Sequence, residues 1–132
     1  MFSDYSKRPR EYLPGHPVHL READFLDRIS RGYRTMSEIA NSLRITQGAA
    51  THTALRLEKQ GYIIRYQNSD DRRCVEVALT ALGEKISKAH RDYWENKILN
   101  KMVGLLEGYS DEDIERLKDF ESRRCTLWQS LK

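Results

Sequence analysis

The stretch TMSEIANSLRITQGAATHTALRLEKQGYIIRY, residues 35–66, decides the fold. Thr35 followed three residues later by Glu38 is a capping box, so a helix begins there. Met36, Ile39, Ala40 and Leu43 recur at helical spacing and predict a short helix over residues 37–43. Arg44-Ile45 is a tight break, Thr46 caps a second helix, and Gly61 stops that helix after Gln60. Ala50, Ala54 and Leu57 share its inner face, where small residues let two helices approach closely. Tyr62-Ile63-Ile64-Arg65-Tyr66 then turns aromatic and β-branched, as a strand does.

Downstream, Asn68-Ser69-Asp70-Asp71 is turn chemistry, and residues 74–79 alternate in part between apolar and polar. The two strands make one hairpin with an arginine-bearing tip. Thr80 caps a long helix expected to reach about residue 106, with Leu82, Ile86, Ala89, Tyr93, Met102 and Leu105 as its stripe. Gly104 and Gly108 weaken and then end it. A last helix opens on Asp111, Glu112 and Asp113, an acidic first turn that suits the helix dipole. Upstream, residues 20–30 read as a helix with Leu20, Ala23, Phe25, Leu26 and Ile29 inward and its charges on the remaining face. Before it lies an arm in which Pro9, Pro14, Gly15 and Pro17 are expected to break any regular element. Lys7, Arg8 and Arg10 make the arm basic, and Tyr12 and Leu13 give it apolar anchors.

The fold class is therefore mainly α with a small β-hairpin wing, a winged helix-turn-helix with C-terminal dimerisation helices. The expected organisation is an arm over residues 1–19, a DNA-binding lobe over 20–80 and dimerisation helices over 81–132. Two adjoining helices and a wing bind duplex DNA when the second helix shows donors and acceptors to base edges and its flanks carry cations for phosphates. Thr46, Gln47, Thr51 and His52 supply the first, with Ser37 on the preceding helix. Gly48 permits close backbone approach, and Arg44 and Arg56 are placed for phosphates. Arg72 and Arg73 on a thin ribbon can enter a narrow, negative minor groove, with an adjoining aspartate aiming the ribbon. The C-terminal stripes exceed the core available to cover them, so a homodimer is expected. Its interface would use Tyr12, Leu13, Leu105, Leu106, Ile114, Leu117, Phe120, Leu127, Trp128 and Leu131.

The formal charge of the 132-residue chain is only +3, so a nucleic-acid partner rests on local placement and not on overall charge. Cys74 and Cys125 are far apart and read as reduced thiols. No membrane-length apolar run and no signal-peptide pattern is present, so the expectation is a soluble cytoplasmic protein. His16-Pro17-Val18-His19 lacks the helical frame that would fix metal geometry, and no metal or cofactor is expected. For His90, ordinary hydrogen bonding or exposure is expected over a ligand role. Nothing resembles a nucleophile–base pair or phosphate loop, so an enzyme is not expected. A winged helix can also serve as a protein-binding module without sequence-specific DNA binding, and that alternative stays open at this stage.

Ser37-Glu38-Ile39-Ala40, Leu57-Glu58-Lys59-Gln60-Gly61-Tyr62-Ile63, Asp71-Arg72-Arg73 and Leu79-Thr80-Ala81-Leu82-Gly83 together resemble the MarR family of bacterial transcriptional regulators. The resemblance covers roughly residues 18–131. It implies a homodimer on a pseudo-palindromic operator, with recognition helices in successive major grooves and wings in the flanking minor grooves. It also implies that Asp71 positions the wing and Arg73 reaches the minor groove, and it admits a small-molecule effector as a further partner. The arm is shorter than the family's usual long first helix, and Arg8-Pro9-Arg10-Glu11-Tyr12 is similar to a short-armed branch.

Overall fold

In the computed structural model, which describes residues 7–71 and 73–131, the prolines of the arm build a hairpin instead of preventing one. Strand β1 (Arg10–Leu13) runs antiparallel to β2 (His16–Val18), with Leu13 opposite His16. Pro14 presets φ near −65° and Gly15 takes φ of 84°, the combination a type II turn needs. Pro17 is exposed on a strand with no further neighbour, so its missing N–H costs no ladder bond.

Helix α1 (Leu20–Ser30) buries Ala23, Phe25, Leu26 and Ile29, as its periodicity predicts. It also buries Glu22 and Asp27, which were expected on the solvent side. Helix α2 (Met36–Leu43) and helix α3 (Gln47–Lys59) follow, then β3 (Ile63–Gln67) and β4 (Val75–Leu79). The β3–β4 register runs from Ile63 opposite Leu79 to Gln67 opposite Val75. Residues ahead of α2 extend this sheet, since Thr35 bridges Glu76 and the Val77 N–H donates to the Arg34 carbonyl at 2.9 Å. Phe25, Leu26, Ile39, Leu57, Ile63, Val77 and Ile86 close the core.

The Leu79–Gly83 motif has a geometric cause. Thr80 Oγ1 donates to the Gly61 carbonyl at 2.7 Å and accepts from the Gly83 N–H at 3.1 Å, capping helix α4 (Ala81–Tyr93). A Cβ on Gly83 would lie 2.0 Å from the Tyr62 carbonyl oxygen, so only glycine lets α4 start this close to the wing.

The single long helix expected to reach residue 106 is divided. After α4 comes a π-helical segment (Trp94–Leu99), then α5 (Asn100–Gly104) and a turn ending at Gly108, where φ is 92°. Helix α6 (Asp111–Ser130) opens on a capping box between Ser110 and Asp113. The chain separates into two compact units, one up to Trp94 and one from Glu95. In the second, Leu106 and Ile114 are partly buried, whereas Leu105, Leu117, Phe120, Leu127, Trp128 and Leu131 are exposed. Among the described residues no helix is long and apolar enough to cross a membrane. Cys74 and Cys125 are free thiols.

Candidate nucleic-acid interface

The helix-turn-helix is fixed by local bonds at each joint. Thr35 Oγ1 accepts from the Glu38 N–H at 3.2 Å, while the Glu38 carboxylate accepts from the N–H groups of Arg34 and Thr35. The Arg34 bond is the main reason the Glu38 carboxyl is held below the usual range. At the other end of α2 the Arg44 N–H donates to the Asn41 carbonyl and the Ile45 N–H to the Ala40 carbonyl. This is the Schellman pattern, whose left-handed position normally holds glycine. Arg44 holds it here, at φ 56° and ψ 45°, the one non-glycine with positive φ among the described residues.

Thr46 Oγ1 then accepts from the Ala49 N–H at 3.1 Å and caps α3. Ala50, Ala54 and Leu57 point fully inward. Ser37, Arg44, Thr46, Gln47, Gly48 and His52 are exposed, and Thr51 is half-buried at the edge of the same surface. A Cβ on Gly48 would meet only Thr46 Oγ1, at an ordinary contact distance of 3.9 Å, so its lack of a side chain serves no packing need inside the chain. Leu55, which the sequence reading passed over, is 45% exposed on the polar side of α3, three residues after His52. The visible signal was its place opposite the Ala50–Ala54–Leu57 stripe.

Arg56 differs from the other predicted cations. Its Nη2 lies 3.2 Å from Oε1 of buried Glu22 on α1, so its guanidinium is already in an ion pair. Among the described residues no ion pair holds Arg44 or Arg73. Near the end of α3, the Glu58 carboxylate accepts from Arg65 Nε at 3.2 Å and joins the helix to β3.

The wing tip is ordered by short polar side chains. Asn68 Oδ1 accepts from the Asp70 N–H at 2.9 Å, and Asp71 Oδ1 accepts from the Arg73 N–H at 3.0 Å. An aspartate was expected to aim an arginine, and Asp71 does contact Arg73, through its backbone. That bond is an Asx turn, which fixes the path of the chain at Arg73. Arg73 is exposed, and Arg72 lies outside the described residues. At the base of the tip the Glu76 carboxylate accepts from Tyr66 OH at 3.0 Å and Asn68 Nδ2 at 2.7 Å. The Glu76 bond also raises the Tyr66 phenol pKa.

Other singled-out residues lie away from this surface. Tyr12 and Leu13 pack partly buried against the core of their own chain, with the Tyr12 ring edge-on to His90 at 4.8 Å and to Tyr93 at 5.4 Å. His90 was expected to be hydrogen-bonded or exposed. It is buried with neither ring nitrogen partnered, and burial pushes its pKa down. His16 approaches Tyr62 OH at 3.4 Å, and His19 occupies the N-cap position of α1 without a side-chain cap bond.

The family model that matches this chain is the MarR family, over residues 30–75, which spans α2, α3, β3 and the wing tip. The chain is 32% identical to the uncharacterized HTH-type transcriptional regulator YcgE of Bacillus subtilis strain 168, over 77% of this chain and 74% of that protein. Among solved structures, Streptococcus pneumoniae FabT, crystallised in complex with DNA, superimposes with a TM-score of 0.73 at 27% identity, covering 87% of this chain and 78% of its own. Lactococcus lactis ZitR, a zinc-responsive MarR family member, shares the fold with a TM-score of 0.78 at 22% identity, covering 99% and 90%. With this relatedness added to a capped helix-turn-helix and its wing, the chain belongs to the MarR family of winged helix-turn-helix regulators, non-catalytic proteins that bind DNA sequence-specifically.

Proposed function

We propose that the chain works as a homodimeric repressor on a pseudo-palindromic operator, with a small-molecule effector releasing it. The observation that carries this reading is the surface formed by the N-terminal half of α3. Gln47, Gly48 and His52 are exposed there, beside Thr46, Thr51 and Ser37, on a helix held from behind by Ala50, Ala54 and Leu57. Amide, hydroxyl and imidazole groups in the first turns of a recognition helix can read the major-groove edges of bases. Leu55 adds an apolar contact suited to a thymine methyl. Arg44 binds phosphate, and Arg73, on a tip set by Asp71, takes the minor groove. That the related FabT was crystallised in complex with DNA supports duplex DNA as the partner.

Dimerisation rests on the second unit. Leu117, Phe120, Leu127 and Trp128, with Leu131 just past its end, leave α6 with large exposed apolar side chains, more than an isolated helix keeps in water. Two recognition helices must meet grooves about 34 Å apart, so an effector that shifts their spacing by a few ångströms weakens binding. A selection of bound genomic fragments, followed by footprinting with excess competitor DNA, tests the reading. A two-fold-symmetric protected site is expected. Failure to enrich any fragment, with binding to a protein partner that salt leaves unchanged, would replace it with the protein-binding alternative.

A further inference from the structure

The ion pair between Glu22 and Arg56 joins a fully buried carboxylate to a recognition-helix arginine that solvent still reaches. The Glu22 side chain is 5% exposed and that of Arg56 51%. The two oxygens of Glu22 are not equally served: Oε1 meets Arg56 Nη2, and Oε2 is buried with no partner. A carboxylate held in the interior by one contact draws its charged partner strongly, because loss of that contact leaves an uncompensated buried charge. Glu22 sits in the first turn of α1, and Arg56 in the last turn and a half of α3. Gln47 and Arg56 are nine positions apart, so this anchor lies about 14 Å along α3 from the base-reading end.

Resting on the DNA-binding reading above, we infer that Glu22 and Arg56 are positioning residues, which set the roll of the recognition helix and keep Arg56 from serving as a free phosphate contact. Of the side chains that α3 buries only Leu57 is large, so the Glu22–Arg56 pair adds a second long-armed constraint on its roll. Ala50 and Ala54 are short and smooth, and the Arg65–Glu58 pair is partly exposed on both sides. With side chains included a helix has a radius of about 5–6 Å, so a 10° roll moves a side-chain tip by about 1 Å. Base-edge recognition tolerates about 0.5 Å and 10–20°. A buried acceptor that holds one arginine therefore bears on operator choice without touching DNA. It also removes one cation from the sequence-independent phosphate count, which favours the operator over bulk DNA.

The test measures affinity for operator and for unrelated duplex across a series of salt concentrations, using the full chain and its variants. Arg56→Met keeps the aliphatic stem. It is expected to leave the salt slope on unrelated DNA unchanged and to lower operator discrimination roughly 2- to 30-fold. Glu22→Gln is close to isosteric and frees Arg56. It is expected to lower discrimination as well, while steepening the salt slope by up to about 0.9 as the released arginine finds a phosphate. If Arg56→Met instead makes the slope shallower by about 0.9, Arg56 is itself a phosphate contact and the inference is wrong. Discrimination unchanged within twofold in both variants would equally overturn it. Because Arg56→Met alone leaves the buried Glu22 carboxylate unpaired, the double variant Glu22→Gln with Arg56→Met, which removes both charges, carries both readouts should either single variant fail to fold. Failure of DNA binding altogether would show in the parent protein first, which separates it from failure of the positioning role.

Discussion

Replacing Arg44 with glycine should make the protein more stable and a poorer DNA binder. Arg44 fills the left-handed position of the Schellman turn between α2 and α3 at φ 56°. For an L-residue that conformation costs about 1–2 kcal/mol, a cost that glycine escapes. Against this, glycine makes the unfolded chain more flexible, which removes about 0.4–1 kcal/mol. The net gain is about 0.5–1 kcal/mol, or a rise in melting temperature of about 2–5 °C for a chain of this size. On the DNA side, loss of one phosphate contact reduces the salt slope by about 0.9. Between about 50 and 200 mM salt, Arg44→Gly would then lose about 3.5-fold less affinity than the parent, from a lower start. Thermal melts by circular dichroism and anisotropy titrations on a labelled duplex read the two effects separately. A lower melting temperature would mean that the Arg44 side chain supports the turn. An unchanged salt slope would mean that it does not meet a phosphate. Either result defeats the idea that backbone strain is tolerated here in exchange for a cation beside the recognition helix.

Gly83→Ala places a methyl 2.0 Å from the Tyr62 carbonyl oxygen and should cost about 3 kcal/mol or more, seen as a large fall in the urea midpoint. Asp71→Ala removes the acceptor for the Arg73 N–H at an exposed tip, so DNA affinity should drop about tenfold in a binding titration while stability changes by less than about 1 kcal/mol. His90 titrates below its ordinary 6.5 because burial disfavours the imidazolium, an effect that Asp27 partly opposes. The unfolded chain therefore takes up the proton more readily, so stability is complete above about pH 6.5 and declines as pH falls below it; His90→Phe should flatten that decline in urea midpoints measured between pH 7.5 and 5.5. Trp128→Glu puts a charge into the exposed apolar stripe of α6 and should turn the proposed dimer into a monomer in sedimentation without lowering helix content.

The helix-turn-helix and wing were legible because each junction is written in local chemistry. Thr35 with Glu38, Thr46, Thr80 and Gly61 announce starts and stops through bonds spanning three or four residues, and the structure contains those bonds. The arm's hairpin is hard to read from sequence because Pro14 and Gly15 look like interruptions, when together they are the turn. Its strands are only four and three residues long, too short for alternation to register. The π-helical segment over Trp94–Leu99 has no sequence signature of its own, since apolar spacing does not distinguish one extra residue per turn from a regular helix. In the site, the exposed polar residues of α3 could be picked out, because a helix with Ala50, Ala54 and Leu57 inward has only one face left for them.

The buried charges were the least visible feature. A one-sided amphipathic reading assigns charges to solvent by default. On α1, however, residues from Phe25 round to Asp27 are buried over more than half the circumference, because the helix packs against α2, α3, α4 and β4 at once. A helix so enclosed has no solvent side wide enough for Glu22 and Asp27. Each must then draw a cation inward: Glu22 takes Arg56 from α3, and Asp27 takes Arg31 at 2.7 Å and Arg91 of α4 at 3.6 Å. A contact between acid and base far apart in sequence cannot be read from local spacing. Its trace is indirect: Glu22 stands three and four residues before Phe25 and Leu26, within the apolar stripe. A charge at such a position has either to be paired or to destabilise the fold. Arg31 answers Asp27 locally, and the distant cations come from the recognition helix and from the helix that follows the wing. The central helix of the lobe is thereby joined, through charge, to both the element proposed to read DNA and the one that leads toward the second unit.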